Sequence, residues 1–201
     1  MEIVRIENDP FLNEKSIALG NCYKVNVKNQ SYFYEFIIKG NYATIECSCP
    51  LFLEEVVKQH QLEHKWVTEY RSETYGFYMS FEEIHTFKLP ISILQVSNVF
   101  LNQKKLDQIT KYEELVHYPV PVAIIEDEYV ILNGHHQIFL AKELGYKMID
   151  VYLDKPKGLI YDYIYLAKEQ NIKTVCDMKK ISNEEYTSLK QQLDDLFSYN
   201  K

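Results

Sequence analysis

Tyr129-Val130-Ile131-Leu132-Asn133-Gly134-His135-His136-Gln137 is the stretch on which the reading of this chain turns. Its first four residues are apolar and β-prone, which describes a strand. Asn133-Gly134 is a turn pair, and glycine tolerates backbone conformations closed to other residues. A helix then runs to Leu144, and Gly145 stands in the C′ position where helices are commonly stopped. Strand, tight turn and helix in direct succession make an anion site. The N–H groups near His135 to Ile138 lack intrahelical acceptors, and the helix dipole adds positive potential there. Gly134 lets a phosphate approach the backbone with no Cβ in the way. The imidazoles of His135 and His136 can donate to that phosphate or position a reacting group, while Asn133 orders the turn. A helix N-terminus disfavours imidazolium, so both rings are expected to be neutral at pH 7. The plainer alternative is that the two histidines only cap a helix, packed or solvated.

Around this turn the chain alternates strands and helices. Ile91 to Val96 reads as a short strand, and Leu106, Ile109, Tyr112 and Val116 mark a helix by their spacing of three to four. Pro119-Val120-Pro121 must be extended. Val122 to Glu126 and Tyr129 to Leu132 flank Asp127-Glu128 as a hairpin, and Met148 to Leu153 is a further apolar strand. Helices are expected from about Gly158 to Gln170 and from Ser182 onward. The second opens with Ser182 and Glu185 in capping-box spacing and presents Tyr186, Leu189, Leu193 and Leu196 on one face.

Upstream of residue 86 the texture differs. Tyr23, Val25 and Val27 alternate, as do Tyr32, Tyr34, Phe36 and Ile38, and Tyr42 to Cys47 follow a Lys39-Gly40-Asn41 turn. Pro50 opens a helix over Leu51 to Leu62, with Phe52, Leu53, Val56 and Val57 inward. Trp66 to Arg71 and Tyr75 to Met79 read as a hairpin. The expected organisation is therefore α+β throughout: residues 1–85 a small β-rich accessory unit, residues 86–201 a second domain with a helical extension.

Composition limits the functions open to it. With 46% hydrophobic residues, 201 residues suffice for one good core or two small ones. The net charge is −7. Residues 1–85 hold 8 Lys and Arg against 13 Asp and Glu, net −5; residues 86–201 hold 14 against 16, net −2. Neither half has the basic surplus that general nucleic-acid binding requires. The only arginines are Arg5 and Arg71, so the second half offers phosphate lysines alone, without the bidentate guanidinium fork. Ile17-Ala18-Leu19 is too short for a signal-peptide core, no run is long enough to span a bilayer, and the four cysteines read as reduced thiols. A cytoplasmic protein is expected.

Residues Lys88 to about Asp154 resemble the ParB/sulfiredoxin-like family. The resemblance is carried by Leu89-Pro90-Ile91-Ser92 with Asn102 to Ile109, and by Tyr118-Pro119-Val120-Pro121-Val122. It is carried most specifically by Tyr129 to Gln137 with Ala141 to Gly145. The tail from Lys168 to Val175 and Glu184 to Tyr186 is similar to extensions that follow such domains. This implies a compact α+β domain holding a nucleotide or other phosphate. Asn133, Gly134, His135, His136 and Gln137 would be the binding residues and His135 and His136 the catalytic ones. The implied cofactor is a nucleoside di- or triphosphate with Mg²⁺, and phosphotransferase or nucleotide hydrolase is the implied reaction class. The alternative is a catalytically inactive scaffold for protein or DNA recognition.

Departures from the family pattern narrow this. Gln137 stands where the family usually has arginine, so the charge-assisted part of a phosphate contact is lost. His135 occupies the place of the cysteine that sulfinic-acid reduction needs. Ser97 to Asn102 holds no carboxylate to serve as the general base of the amino-acid kinases.

Other residues have plainer readings. Cys47-Ser48-Cys49 with His60 or His64 is a poor zinc pattern, because zinc-binding cysteines are usually spaced more widely; no metal site is expected. Asp127-Glu128 and Asp194-Asp195 read as solvated surface. Tyr112, Tyr118 and Tyr129 read as core or rim, and His117 is a further candidate for the pocket.

Overall fold

A computed structural model describes residues 1–6, 9 and 12–199. The fold is α+β, and the chain forms two compact units, Met1–Ile84 and His85–Lys201.

The first unit is one six-stranded sheet in sequential order with a helix on one face. Its strands are β1 (Glu2–Arg5), β2 (Cys22–Val27), β3 (Gln30–Lys39), β4 (Tyr42–Cys47), β5 (Glu69–Ser72) and β6 (Phe77–Ser80). The helices are α1 (Glu14–Ala18) and α2 (Leu53–Glu63). All neighbours pair antiparallel except β4 with β5, because α2 makes the crossover between them. Alternation does the sorting: Tyr23, Val25, Tyr34, Phe36, Ile45 and Tyr70 are buried, together with Leu53, Val56 and Val57 of α2. Pro50 opens one turn of 3₁₀ helix, Pro50–Phe52, before α2 proper begins. The hairpin is shorter than expected, since Trp66 to Thr68 lead into β5 rather than belonging to it.

The second unit begins with β7 (Thr86–Pro90), β8 (Leu94–Gln95) and β9 (Phe100–Asn102), followed by α3 (Gln103–Ile109). After β10 (Val120–Ile125) and β11 (Glu128–Ile131) come α4 (His135–Glu143) and β12 (Met148–Leu153). The chain ends with α5 (Ile160–Glu169), β13 (Lys179–Ile181) and α6 (Asn183–Tyr199). Five strands form a mixed sheet in the order β7-β12-β10-β11-β8, and β9 pairs parallel with β13 in a separate ribbon.

Several local expectations are corrected. The expected strand from Ile91 to Val96 is really an earlier strand, β7, then a 3₁₀ turn over Ile91–Ile93, then the two residues of β8. Pro90 fits at the end of an edge strand because its missing N–H is not needed for pairing there. The expected helix through Val116 stops at Ile109; Leu115 and Val116 are buried by a separate 3₁₀ turn, Glu113–His117. The hairpin turn lies one residue earlier than read. Glu126 and Asp127 both have positive φ, 52° and 63°, the conformation of a type I′ turn, and Glu128 already belongs to β11. On α6, Leu196 is 54% exposed, so the inward face is narrower than its apolar spacing implied.

Candidate functional site

The strands β8 and β11 lie side by side and parallel, so their carboxyl ends open at the same edge of the sheet. Open sheets with parallel strands tend to hold ligands outside such carboxyl ends. β8 delivers Ser97 and Asn98 there; β11 delivers Leu132 and Asn133, followed by α4. A cavity of about 520 Å³ lies at this edge, within the size range of small-molecule sites. Its other walls come from the segment before α5, which brings Lys157, from α5 with Tyr163, and from α6 with Tyr186, Lys190 and Asp194.

The turn itself is a tight piece of backbone. Gly134 is the N-cap of α4 at φ 89°, and a Cβ there would lie 3.2 Å from Val120 Cγ1. Glycine is therefore required on two grounds, handedness and space. The Asn133 side-chain oxygen accepts from the Gly134 N–H at 2.8 Å, which shapes the turn. The Ile138 N–H donates to the Gly134 carbonyl, so the amides of His135, His136 and Gln137 precede the first intrahelical acceptor.

Both imidazoles turn inward. His135 is 7% exposed, and its Nε2 accepts from the Ser97 backbone N–H at 3.1 Å. His136 is 9% exposed, and its Nε2 accepts from the Asn102 backbone N–H at 2.9 Å. An Nε2 that accepts carries no proton, so each neutral ring must carry it on Nδ1. Burial, followed by the Lys105 charge, lowers the His135 pKa to about 4. Burial, Lys105 and then His135 lower that of His136 to about 3. Both rings are thus neutral at pH 7, with burial the leading cause.

The five turn residues are not gathered round one opening. Asn133 and His135 line the cavity; Gly134, His136 and Gln137 do not. The Gln137 amide donates to the Tyr118 carbonyl, bracing the Pro-rich entry to β10 instead of facing a ligand. His136 pins the junction of β9 and α3. His117 packs against the Tyr146 ring, with centroids 5.8 Å apart, and does not line the cavity.

Polar groups that sequence reading passed over supply much of the cavity. Asp194, read as solvated surface, accepts from the Tyr163 hydroxyl at 2.7 Å and pairs with Lys190 at 2.8 Å. Burial pushes its carboxyl up, but the Lys190 and Tyr163 contacts together outweigh that and hold it below the usual range. Tyr186 sits 3.4 Å from the Asn98 amide, and Asn183 accepts from the Asn102 amide at 2.9 Å, so α6 is tied to the β8–β9 segment. The only available signal was the spacing of Tyr186, Lys190 and Asp194, which places all three on one helical face. That pattern is common on solvated helices, and so was uninformative without the partner surface.

In the first unit, His60 Nδ1 lies 2.9 Å from the Tyr70 hydroxyl and Nε2 lies 3.4 Å from Asn21 Oδ1. His64 Nδ1 lies 3.2 Å from the His60 carbonyl. Both ring nitrogens of His60 are thus committed to the core, and no group of three potential metal ligands occurs among the described residues. No described helix is long and apolar enough to cross a membrane.

No family model matches this chain, and neither does any curated protein. Among solved structures, protein Atu1540 from Agrobacterium tumefaciens matches at 13% identity with a TM-score of 0.37, over 48% of this chain and 62% of that one. The C-terminally truncated chromosome-partitioning protein ParB from Caulobacter crescentus, complexed with CTP-γ-S, matches at 18% identity with a TM-score of 0.31. That match covers 44% of this chain and 53% of ParB. The chain therefore spans less than two thirds of either structure.

Proposed function

We propose that residues 85–201 form a ParB/sulfiredoxin-like domain that binds a nucleotide or other phosphorylated small ligand in the cavity at the Asn133-Gly134 turn. The observation that carries this is the make-up of the walls. Two lysines, Lys157 and Lys190, face three aromatic rings, Phe100, Tyr163 and Tyr186, beside the first turn of α4. Rings give a base a stacking surface, and lysines with helix-terminal amides suit phosphate.

In this reading His135 and His136 are positioning residues. Each spends Nε2 on a backbone amide, and protonating either ring would set an N–H against an N–H. Phosphoryl transfer or hydrolysis would need a base on the cavity, and Asp194 is its one carboxylate among the described residues. Both oxygens of that carboxylate are already engaged. Magnesium is usually held by carboxylates together with phosphate oxygens. A single carboxylate already paired with Lys190 is a weak Mg²⁺ site in the absence of phosphate oxygens, and binding without turnover is the function the geometry favours.

Calorimetric titration of the full chain with nucleotides tests the proposal. Lys157 is exposed and has no ion-pair partner among the described residues, so Lys157→Ala leaves the fold intact. It should weaken binding about ten-fold, the loss expected for one charge-assisted contact. Absence of heat with every nucleotide and with inorganic phosphate would overturn the proposal.

A further inference from the structure

The walls of the same cavity also bear on how much phosphate it can hold. Its charged groups are Lys157, Lys190 and Asp194, and His135 is neutral. One positive charge is left over. Lys190 is also partly spent, since its Nζ lies 2.8 Å from Asp194 Oδ2 and the side chain stays 54% exposed. Among the described residues that line the cavity, Lys157 is thus the one cation with no carboxylate paired to it. No guanidinium is within the unit, because Arg5 and Arg71 both belong to residues 1–84.

We infer that the ligand carries a single phosphate: granted the nucleotide-binding reading above, the cavity suits a nucleoside monophosphate, and Asp194 selects against di- and triphosphates. A phosphomonoester near neutral pH carries roughly one and a half to two negative charges. Lys157, the start of α4 at His135 and a share of Lys190 can answer that much. A diphosphate or triphosphate adds charge with no further cation among the described lining residues to receive it. Held inside the cavity, the added groups would approach the Asp194 carboxylate or displace it from Lys190, and both raise the energy of the complex. The usual remedy, a Mg²⁺ ion bridging the phosphates, would have Asp194 as its one carboxylate among the described lining residues and would compete there with Tyr163 and Lys190.

Asp194 is held where it can act in this way. The Tyr163 hydroxyl donates to Oδ1 at 2.7 Å, and the Tyr163 ring packs edge-on against Phe197 with centroids 5.1 Å apart. The same tyrosine borders the cavity, so the surface that would meet the base also fixes the carboxylate. Asp194 is then a specificity-determining residue, with Lys157 the principal phosphate contact.

The test is a calorimetric comparison on the full chain. AMP, CMP, GMP and UMP are each set against the matching triphosphate, with and without Mg²⁺. At least one monophosphate should bind about ten-fold or more tightly than its triphosphate. Asp194→Asn should narrow that gap by strengthening triphosphate binding, and Lys157→Ala should weaken the monophosphate while leaving the bare nucleoside unchanged. A triphosphate that binds as tightly as its monophosphate overturns the inference and leaves the nucleotide-binding reading standing. An Asp194→Asn protein that keeps the full gap removes Asp194 from the selection and overturns its assigned role. No binding of any nucleotide overturns both together.

Discussion

His135 and His136 each commit Nε2 to a backbone amide of the chain itself. Each ring receives a backbone N–H that would otherwise be buried without a partner: Ser97 in one case, Asn102 in the other. His136→Ala should therefore cost about 1–3 kcal/mol for the orphaned amide, beyond the packing lost. Denaturant unfolding monitored by circular dichroism would show it as a lowered midpoint. The same contacts set a pH dependence. The unfolded rings titrate near 6.5, whereas the folded values are lowered to about 4 for His135 and His64 and about 3 for His136, with burial the leading cause. Between those limits the unfolded chain binds more protons, so stability falls as pH drops below 6.5 and continues to fall to about 3. Melting temperatures at pH 7, 5.5 and 4.5 should decline in that order. A flat profile would show that these rings are not buried neutral.

At the scale of elements, the turn between β11 and α4 depends on Gly134. Its φ of 89° and the 3.2 Å approach of a Cβ to Val120 make alanine doubly unfavourable. Gly134→Ala should destabilise the unit by about 1–2 kcal/mol from the left-handed conformation. It should also displace the first turn of α4 and so weaken ligand binding, which thermal unfolding and calorimetry on one preparation would reveal. This glycine was legible in the sequence, as was the helix that follows it and stops before Gly145, because turn chemistry and C-capping are local. The short strands β8, β9 and β13 were not. Two or three residues carry no periodicity of their own, and such strands exist only because a neighbouring strand pairs with them.

For the whole molecule, ligand binding links to the stability of residues 85–201. A nucleotide at one hundred times its Kd should raise the free energy of unfolding by about 2.7 kcal/mol if it does not bind the unfolded chain. Hydrogen exchange should show the added protection in peptides spanning residues 132–138, 155–165 and 186–194, which wall the cavity. Protection confined elsewhere would place the ligand at another site.

The sequence by itself determined the α+β class, the strands β2, β3, β4, β11 and β12, and the position of the strand-turn-helix at Asn133-Gly134. These are set by alternation, turn residues and caps within a dozen residues of chain, where local sterics and burial patterns suffice. Only the tertiary structure decided which way the side chains of that turn face. It sends His136 and Gln137 to backbone partners 34 and 19 residues away, and it brings Lys157, Tyr163, Lys190 and Asp194 to the cavity from the opposite end of the domain. Hydrogen-bond satisfaction of buried amides is the reason. A polar group inside a protein takes whichever partner the packed fold presents, and that partner is set by sheet pairing across long stretches of chain rather than by its neighbours in sequence.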